Sequence, residues 1–389
     1  MNEKPTSVWK KIAQNQYVKL VLGNLISFLV ILFVVNLLSA IALYFIDNDI
    51  LLFGDSRTDL PNYDASRAHA EEVFLDYERT STQYEPFIGW SRLPYQGKTT
   101  VIGPEGDRLC PPPAPGASKI AHFFGGSTMW GTGSDDSGTI PAQFQALSPD
   151  FRAVNHGETG FNSRQGLDKL LNLLVQGDTL DLVVFYDGVN DIYYSCQKGV
   201  DELPTHARET YLRDAARKNR DRSYARVFRA LFLDNILALA VKINQSPAFQ
   251  QRKDRCDFFD CLCKPEKVQA VANELLTNWS IAHDLVEARG GRFIGILQPS
   301  PYLGDPRLDH ISVSGMRQSI DTTYQLVYHE IQRQIDERDL NWAYDFTDVL
   351  DGDEYFYIDY CHLSPNGNRK VAERLSAIVG KPLVDKRER

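Results

Sequence analysis

The sequence predicts an α/β protein: three layers, α/β/α, around a roughly five-stranded parallel sheet, preceded by one N-terminal transmembrane helix. Two observations predict it. Short apolar runs alternate with helical patterns through the C-terminal part of the chain, and such alternation favours parallel strands covered by helices on both faces. Near the N-terminus, Leu20 to Ile46 carries no charged side chain, and about 20 apolar residues suffice to cross a bilayer.

Within that stretch the small polar residues are Asn24, Ser27, Asn36 and Ser39. Lys4, Lys10, Lys11 and Lys19 precede it; Asp47, Asn48 and Asp49 follow. The basic flank therefore stays cytoplasmic, which puts 1–19 inside, 20–46 in the bilayer and the remainder in the periplasm or at the cell surface. Trp9, Tyr17 and Tyr44 fall near the two ends, as interfacial aromatics do. A cleaved signal peptide competes through the small residues Ser39-Ala40-Ile41-Ala42, but signal cores run only about 7 to 15 apolar residues. A retained anchor is the better reading.

The 389 residues, 24% charged and 43% hydrophobic, suit an ordinary globular composition with a sizeable core. A formal charge of -9 without a basic patch of interleaved aromatics argues against nucleic acid as a partner. All six cysteines, Cys110, Cys196, Cys256, Cys261, Cys263 and Cys361, follow the anchor, and an even count outside the cytoplasm suits disulfides. The cluster Cys256 to Cys263 has no Cys-x-x-Cys pair and no nearby histidine, so zinc is the weaker reading. The pairing is left open.

Residues 47–117 are rich in turn formers, with strand-like pieces at Gly89-Trp90 and Thr99 to Ile102 and a turn at Gly103-Pro104-Glu105-Gly106, and read as a membrane-proximal stem. Cys110-Pro111-Pro112-Pro113-Ala114-Pro115-Gly116 is a stiff entry to the main domain, 118–389. Strands are expected at Lys119 to Phe124, Phe151 to Asn155, Asp181 to Tyr186, Arg292 to Leu297 and Asn341 to Phe346. Helices are expected at Leu167 to Leu174, Glu266 to Ala288, Met316 to Arg338 and Pro365 to Ile378. The long connection at about 192–265 holds a basic portion, Arg208 to Arg229, and an apolar one, Ala230 to Val241; it reads as a helical insertion, either a substrate-shaping cap or plain structure.

In a parallel sheet active groups gather outside the carboxyl ends of the strands. Ser127, Gly160 and Asn190 each fall just after an expected strand. Ser127 sits where an apolar run breaks at Gly125-Gly126, and Asp359 stands three residues before His362, ahead of a helix start at Ser364-Pro365. A serine hydroxyl needs a base to take its proton, and the base needs an orienting carboxylate; Ser127, His362 and Asp359 fit those roles. The blocks Phe123 to Thr128, Asn155 to Gly160, Gly188 to Asp191 and Tyr357 to Gly367 resemble, in order and residue type, those of the SGNH (GDSL-type) hydrolases. The resemblance implies a flavodoxin-like fold, a catalytic triad of Ser127, Asp359 and His362, and an oxyanion hole built from the Ser127 and Gly160 backbone amides and the Asn190 side chain. It calls for no cofactor and no metal.

Two departures stand out. The nucleophile block reads Gly-Gly-Ser-Thr in place of Gly-Asp-Ser-Leu, whereas Gly54-Asp55-Ser56-Arg57 matches the letters better but lacks the other blocks at suitable spacing. Ser56 is thus a minor rival to Ser127. His310, His122 and His156 read as surface, core or supporting residues, while Trp130, Glu158 and Asn162 are balanced between lining a cleft and packing. The expected activity is removal of O-acyl, chiefly acetyl, groups from an extracytoplasmic polysaccharide or envelope glycan, an inference from fold-level analogy. Rival readings are a glycan O-acetyltransferase with the same triad, a lysophospholipase or thioesterase, and a non-catalytic component of an envelope biosynthesis complex.

Overall fold

The computed structural model describes residues 16–47, 55–200, 203, 224–245, 256, 258–313 and 319–380. Lys4, Lys10, Lys11, Trp9, Asn48, Asp49, Gly54, Met316 and the basic residues of 208–223 lie outside these. The chain divides into two compact units: Gly54–Thr210 with Lys253–Arg389, and Met1–Phe53 with Tyr211–Arg252.

The larger unit is built on five strands, β1 (Lys119–Gly125), β2 (Phe151–Asn155), β3 (Leu182–Asp187), β4 (Arg292–Leu297) and β5 (Ala343–Asp345). They pair in the order β2-β1-β3-β4-β5, every pair parallel. Every residue of the central strand β3 is buried, as its continuous apolar run requires of a strand covered on both faces. The alternation of side chains sorts the core into two layers. Phe185 and Phe293 pack with Leu170, Leu275, Trp279 and Ile331 of the helices Ser163–Gln176, Pro265–Glu287 and Ile320–Glu337. On the opposite face Phe123, Val184 and Ile296 pack with Ile140, Phe144, Val371 and Leu375 of the helices Ile140–Leu147 and Pro365–Val379. Each such side chain contributes about 1.5 to 3 kcal/mol by leaving water.

The described part of the expected stem, residues 55–117, lies in the same unit as the sheet. It contains a helix, Arg67–Arg79, that the turn-rich composition concealed; Ala70, Val73 and Phe74 form its buried stripe. Two short antiparallel pairs follow, Thr82–Glu85 with Gly89–Arg92, and Tyr95–Gln96 with Val101–Ile102. Arg108 then bridges to Asn155 at the end of β2, and its buried guanidinium donates to the carbonyls of Trp130, Gly131 and Ser134 and to Asp136.

Two disulfides form, Cys196–Cys261 and Cys256–Cys263, leaving Cys110 and Cys361 as thiols. In the smaller unit, Gln16–Asp47 is one helix of 32 residues, long and apolar enough to cross a membrane. The insertion contributes two more helices there, Tyr224–Phe232 and Asp234–Gln245, which pack on that helix. These two helices group with the N-terminal helix in the smaller unit.

Candidate active site

Ser127 opens a short helix immediately after β1. A Cβ on Gly125 would lie 2.5 Å from the Tyr186 carbonyl oxygen, and one on Gly126 would collide with Nδ2 of Asn190. Two glycines are thus what allows the strand to turn beside β3 and present the serine. Asp-x-x-His folds as a closed turn: Asp359 Oδ1 accepts the backbone N–H groups of Cys361 at 3.0 Å and His362 at 2.8 Å. Its Oδ2 lies 2.7 Å from His362 Nδ1, and His362 Nε2 lies 2.8 Å from Ser127 Oγ. With an ionised carboxylate at Nδ1, that nitrogen carries the ring proton and Nε2 presents a lone pair to the serine hydroxyl. Thr128 Oγ1 donates to the Cys361 carbonyl at 3.0 Å, tying the serine turn to the histidine loop.

Burial alone would raise the Asp359 carboxyl. The His362 ring, the Arg57 guanidinium and the Cys361 amide outweigh it and hold the group well below the usual carboxylate range. Burial, reinforced by the Asp359 charge, pushes the Cys361 thiol well above its ordinary value. Asp359, Cys361 and His362 approach closely enough to hold an ion. A protonated thiol and an Nδ1 committed to Asp359 are nevertheless a poor donor set for a metal.

Arg57 is the residue that sequence reasoning missed. Its Nη1 lies 3.2 Å from Asp359 Oδ2, the oxygen that also takes His362, while Nη2 lies 2.7 Å from Asp55 Oδ2. The guanidinium rests 4.5 Å from the centre of the Phe74 ring. The described part of the rival serine motif, Asp55-Ser56-Arg57, therefore reaches the site through Arg57, while Ser56 is exposed at the start of a 3₁₀ turn. Arg57 is one of the charges that hold the Asp359 carboxyl low, so in Arg57→Met the acid limb of the kcat/KM profile is expected to move to higher pH, with Arg57→Lys intermediate. A profile that stays in place would show that Arg57 only packs.

Asn190 follows β3, and its Nδ2 donates to the Phe161 carbonyl at 2.7 Å; its second N–H is the one an oxyanion needs. Gly160, at φ +81°, makes the left-handed turn of the neighbouring loop without strain. Gly157 serves packing, since a Cβ there would lie 2.5 Å from the Trp130 amide nitrogen. Arg92 holds the loop: Nε donates to Glu158 Oε1 at 3.0 Å and Nη2 to Thr159 Oγ1 at 2.6 Å. The loops carrying Ser127, Gly160 and Asn190 thus converge at the carboxyl ends of β1, β2 and β3, and direct contacts join Ser127, His362 and Asp359. Asn190→Ala is expected to lower kcat about 10²- to 10³-fold on a short acyl ester with little change in KM. A KM rise at constant kcat would assign the amide to ground-state binding.

The balanced residues resolve toward structure. Trp130 is buried between Arg92 and Arg108, whose guanidinium carbons lie 4.7 and 4.4 Å from its ring. Glu158 is the buried partner of Arg92, and Asn162 caps the helix Ser163–Gln176 through a capping box with Gln165. His122 and His156 are hydrogen-bonded to each other at 2.8 Å, and His156 to Asp107 at 3.0 Å. His310 lies 2.8 Å from the Tyr357 carbonyl.

Beneath Asn190, Asp191 accepts the Ser163 hydroxyl at 2.6 Å and Asp187 accepts the Trp279 indole N–H at 2.8 Å. Burial raises both carboxyls, and the Asp191 charge raises Asp187 further. Because the folded value of Asp187 is raised, its cost to stability begins above its unfolded value near pH 4 and grows until the folded value is passed. Asp187→Asn, which mimics the protonated acid, should therefore flatten the fall of Tm between pH 5 and 8. A steeper fall in the variant would contradict the protonated state.

No family model and no curated protein matches the sequence. Solved structures do resemble it. One is a carbohydrate acetylesterase family member from Sinorhizobium meliloti, at 16% identity, covering 67% of this chain and 97% of that one with a TM-score of 0.34. Another is the M. smegmatis aryl esterase in an inhibitor-bound form, at 14% identity, 67% and 98% coverage and a TM-score of 0.35. A third is a lipolytic protein of the G-D-S-L family from Veillonella parvula, at 11% identity, 68% and 98% coverage and a TM-score of 0.37. Likeness at this distance leaves the chemistry of the present chain to its own geometry.

Proposed function

We propose that this chain is a serine ester hydrolase that works through an acyl-enzyme, anchored by its N-terminal helix with the catalytic domain outside the cytoplasm. The observation that carries the reading is the unbroken hydrogen-bond path from Ser127 Oγ through His362 to Asp359. Ser127 Oγ attacks the ester carbonyl while His362 Nε2 takes its proton. The negative charge that develops on the carbonyl oxygen is met by the Asn190 amide and the Ser127 and Gly160 backbone N–H groups. His362 then protonates the departing alcohol as the C–O bond breaks. Water, deprotonated by the same nitrogen, attacks the acyl-serine, and the proton returns to Ser127 as the acid leaves. Every proton passes through one imidazole, and no cofactor is required.

The substrate class we favour is an O-acetylated polysaccharide or envelope glycan. The two cystines support an oxidising compartment, where a tethered hydrolase meets such polymers. The test is incubation of the full chain in detergent with a fluorophosphonate, followed by peptide mass mapping, and assay on an acetylated glycan beside long-chain lipid esters. The expected result is one adduct on Ser127 and release of acetate from the glycan. A folded protein that neither labels nor turns over any ester would overturn the enzymatic reading. Turnover confined to long-chain esters would replace the glycan by a lipid.

A further inference from the structure

The helices Tyr224–Phe232 and Asp234–Gln245 pack on the helix Gln16–Asp47, and the Asn36 side chain meets the turn between them. Asn36 Nδ2 donates to the carbonyls of Ala230 and Leu231 at 3.0 and 3.1 Å, and Oδ1 accepts the N–H groups of Asn235 and Ile236 at 3.0 and 3.3 Å. These four groups belong to the end of one helix and the start of the next, where the chain's own helical bonds run out. Water would satisfy them at an exposed turn. A buried amide that satisfies all four is what such a turn needs where water is absent.

Asn36 stands ten residues before Ile46, roughly 15 Å along a helix axis and about half of a hydrocarbon core. Ser39 and Leu43, the buried positions that follow it at three and seven residues, continue the packed stripe toward the helix's C-terminal end. The paired helices nevertheless leave Val227, Phe228, Leu231, Leu237 and Ile243 exposed, at 44 to 55% of their surface. Among the described residues, Val227, Phe228, Leu231 and Leu237 thus keep about half of their apolar surface open on both helices. Of the charges, Arg229 and Asp234 pair with each other at 3.1 Å near the turn.

We propose that residues 224–245 form a re-entrant helical hairpin that dips into the outer half of the bilayer beside the anchor, clamped at its turn by Asn36. Its partner is the acyl-chain layer of the membrane. The inference rests on the membrane-spanning reading of Gln16–Asp47. It converts an insertion in a hydrolase sequence into a second point of membrane attachment.

The full chain, reconstituted in phosphatidylcholine and phosphatidylglycerol vesicles with a phospholipid bearing a diazirine on its acyl chain, is irradiated and its peptides mapped by mass spectrometry. Adducts are expected in 20–46 and also in 224–245, centred on Phe228, Leu231 and Leu237. Asn36→Leu, which leaves the anchor apolar, should lower the yield in 224–245 about fivefold and leave 20–46 unchanged. Labelling of 20–46 alone would overturn the hairpin while sparing the anchor. Labelling of neither segment would overturn both, and an unchanged yield in Asn36→Leu would remove the clamp that carries the proposal.

Discussion

Ser127→Ala is expected to lower kcat on a short acetyl ester by at least about 10⁴-fold and to abolish fluorophosphonate labelling, with Tm nearly unchanged. On the proposed mechanism the loss is large because Ser127 supplies the bond-forming atom, leaving only the modest assistance of positioning and oxyanion donors. Removing one hydroxyl that is hydrogen-bonded to His362 leaves a ring nitrogen that solvent can reach, so folding should survive. Ser56→Ala is the matched control and should retain activity within about twofold, since Ser56 is exposed and only its neighbours Asp55 and Arg57 engage the site. Thermal melts and steady-state kinetics on the three proteins decide the matter. Loss of labelling in Ser56→Ala with retention in Ser127→Ala would transfer the nucleophile to the membrane-proximal motif.

The second large effect is expected of Asp359→Asn, at about 10⁴-fold in kcat. The geometry fixes how the new amide sits. Oδ1 of Asp359 accepts two backbone N–H groups, so the side-chain oxygen of Asn must stay there and the NH₂ must face His362 and Arg57. An NH₂ donates to Nδ1, the ring proton moves to Nε2, and the lone pair that should receive the serine proton is gone. The same NH₂ opposes the Arg57 guanidinium, so Tm should also fall. Activity in Asp359→Asn should recover partly at high pH, where an imidazole competes less with hydroxide as the base. A full-rate variant would mean that Asp359 only shapes the loop.

Local signals revealed the sheet and the catalytic loops. β2 and β4 begin and end where their apolar runs do, and the helix after His362 starts at the Ser364-Pro365 pair that caps it. β5 is shorter than its expected run, Asn341 to Phe346, and pairs only with the last residues of β4. Ser127, His362 and Asp359 were legible because each needs a particular neighbour: glycine before the serine, a carboxylate three residues before the histidine. Arg57 and Arg92 were not, since their partners lie 302 and 66 residues away and a surface arginine carries the same letters. The helix Arg67–Arg79 was hidden by its turn-rich surroundings, although Ala70, Val73 and Phe74 repeat at helical spacing.

The disulfide Cys196–Cys261 joins residues 65 apart whose Cα atoms are 5.2 Å apart, so the connection between them starts and ends at one covalently stapled neck. A protease that nicks the connection would leave the two fragments joined through that bond. Any shortening of that connection must spare Phe259, fully buried in the main core, and Asp260, the buried partner of Lys267, if Ser127, Asn190, Asp359 and His362 are to keep their original supports.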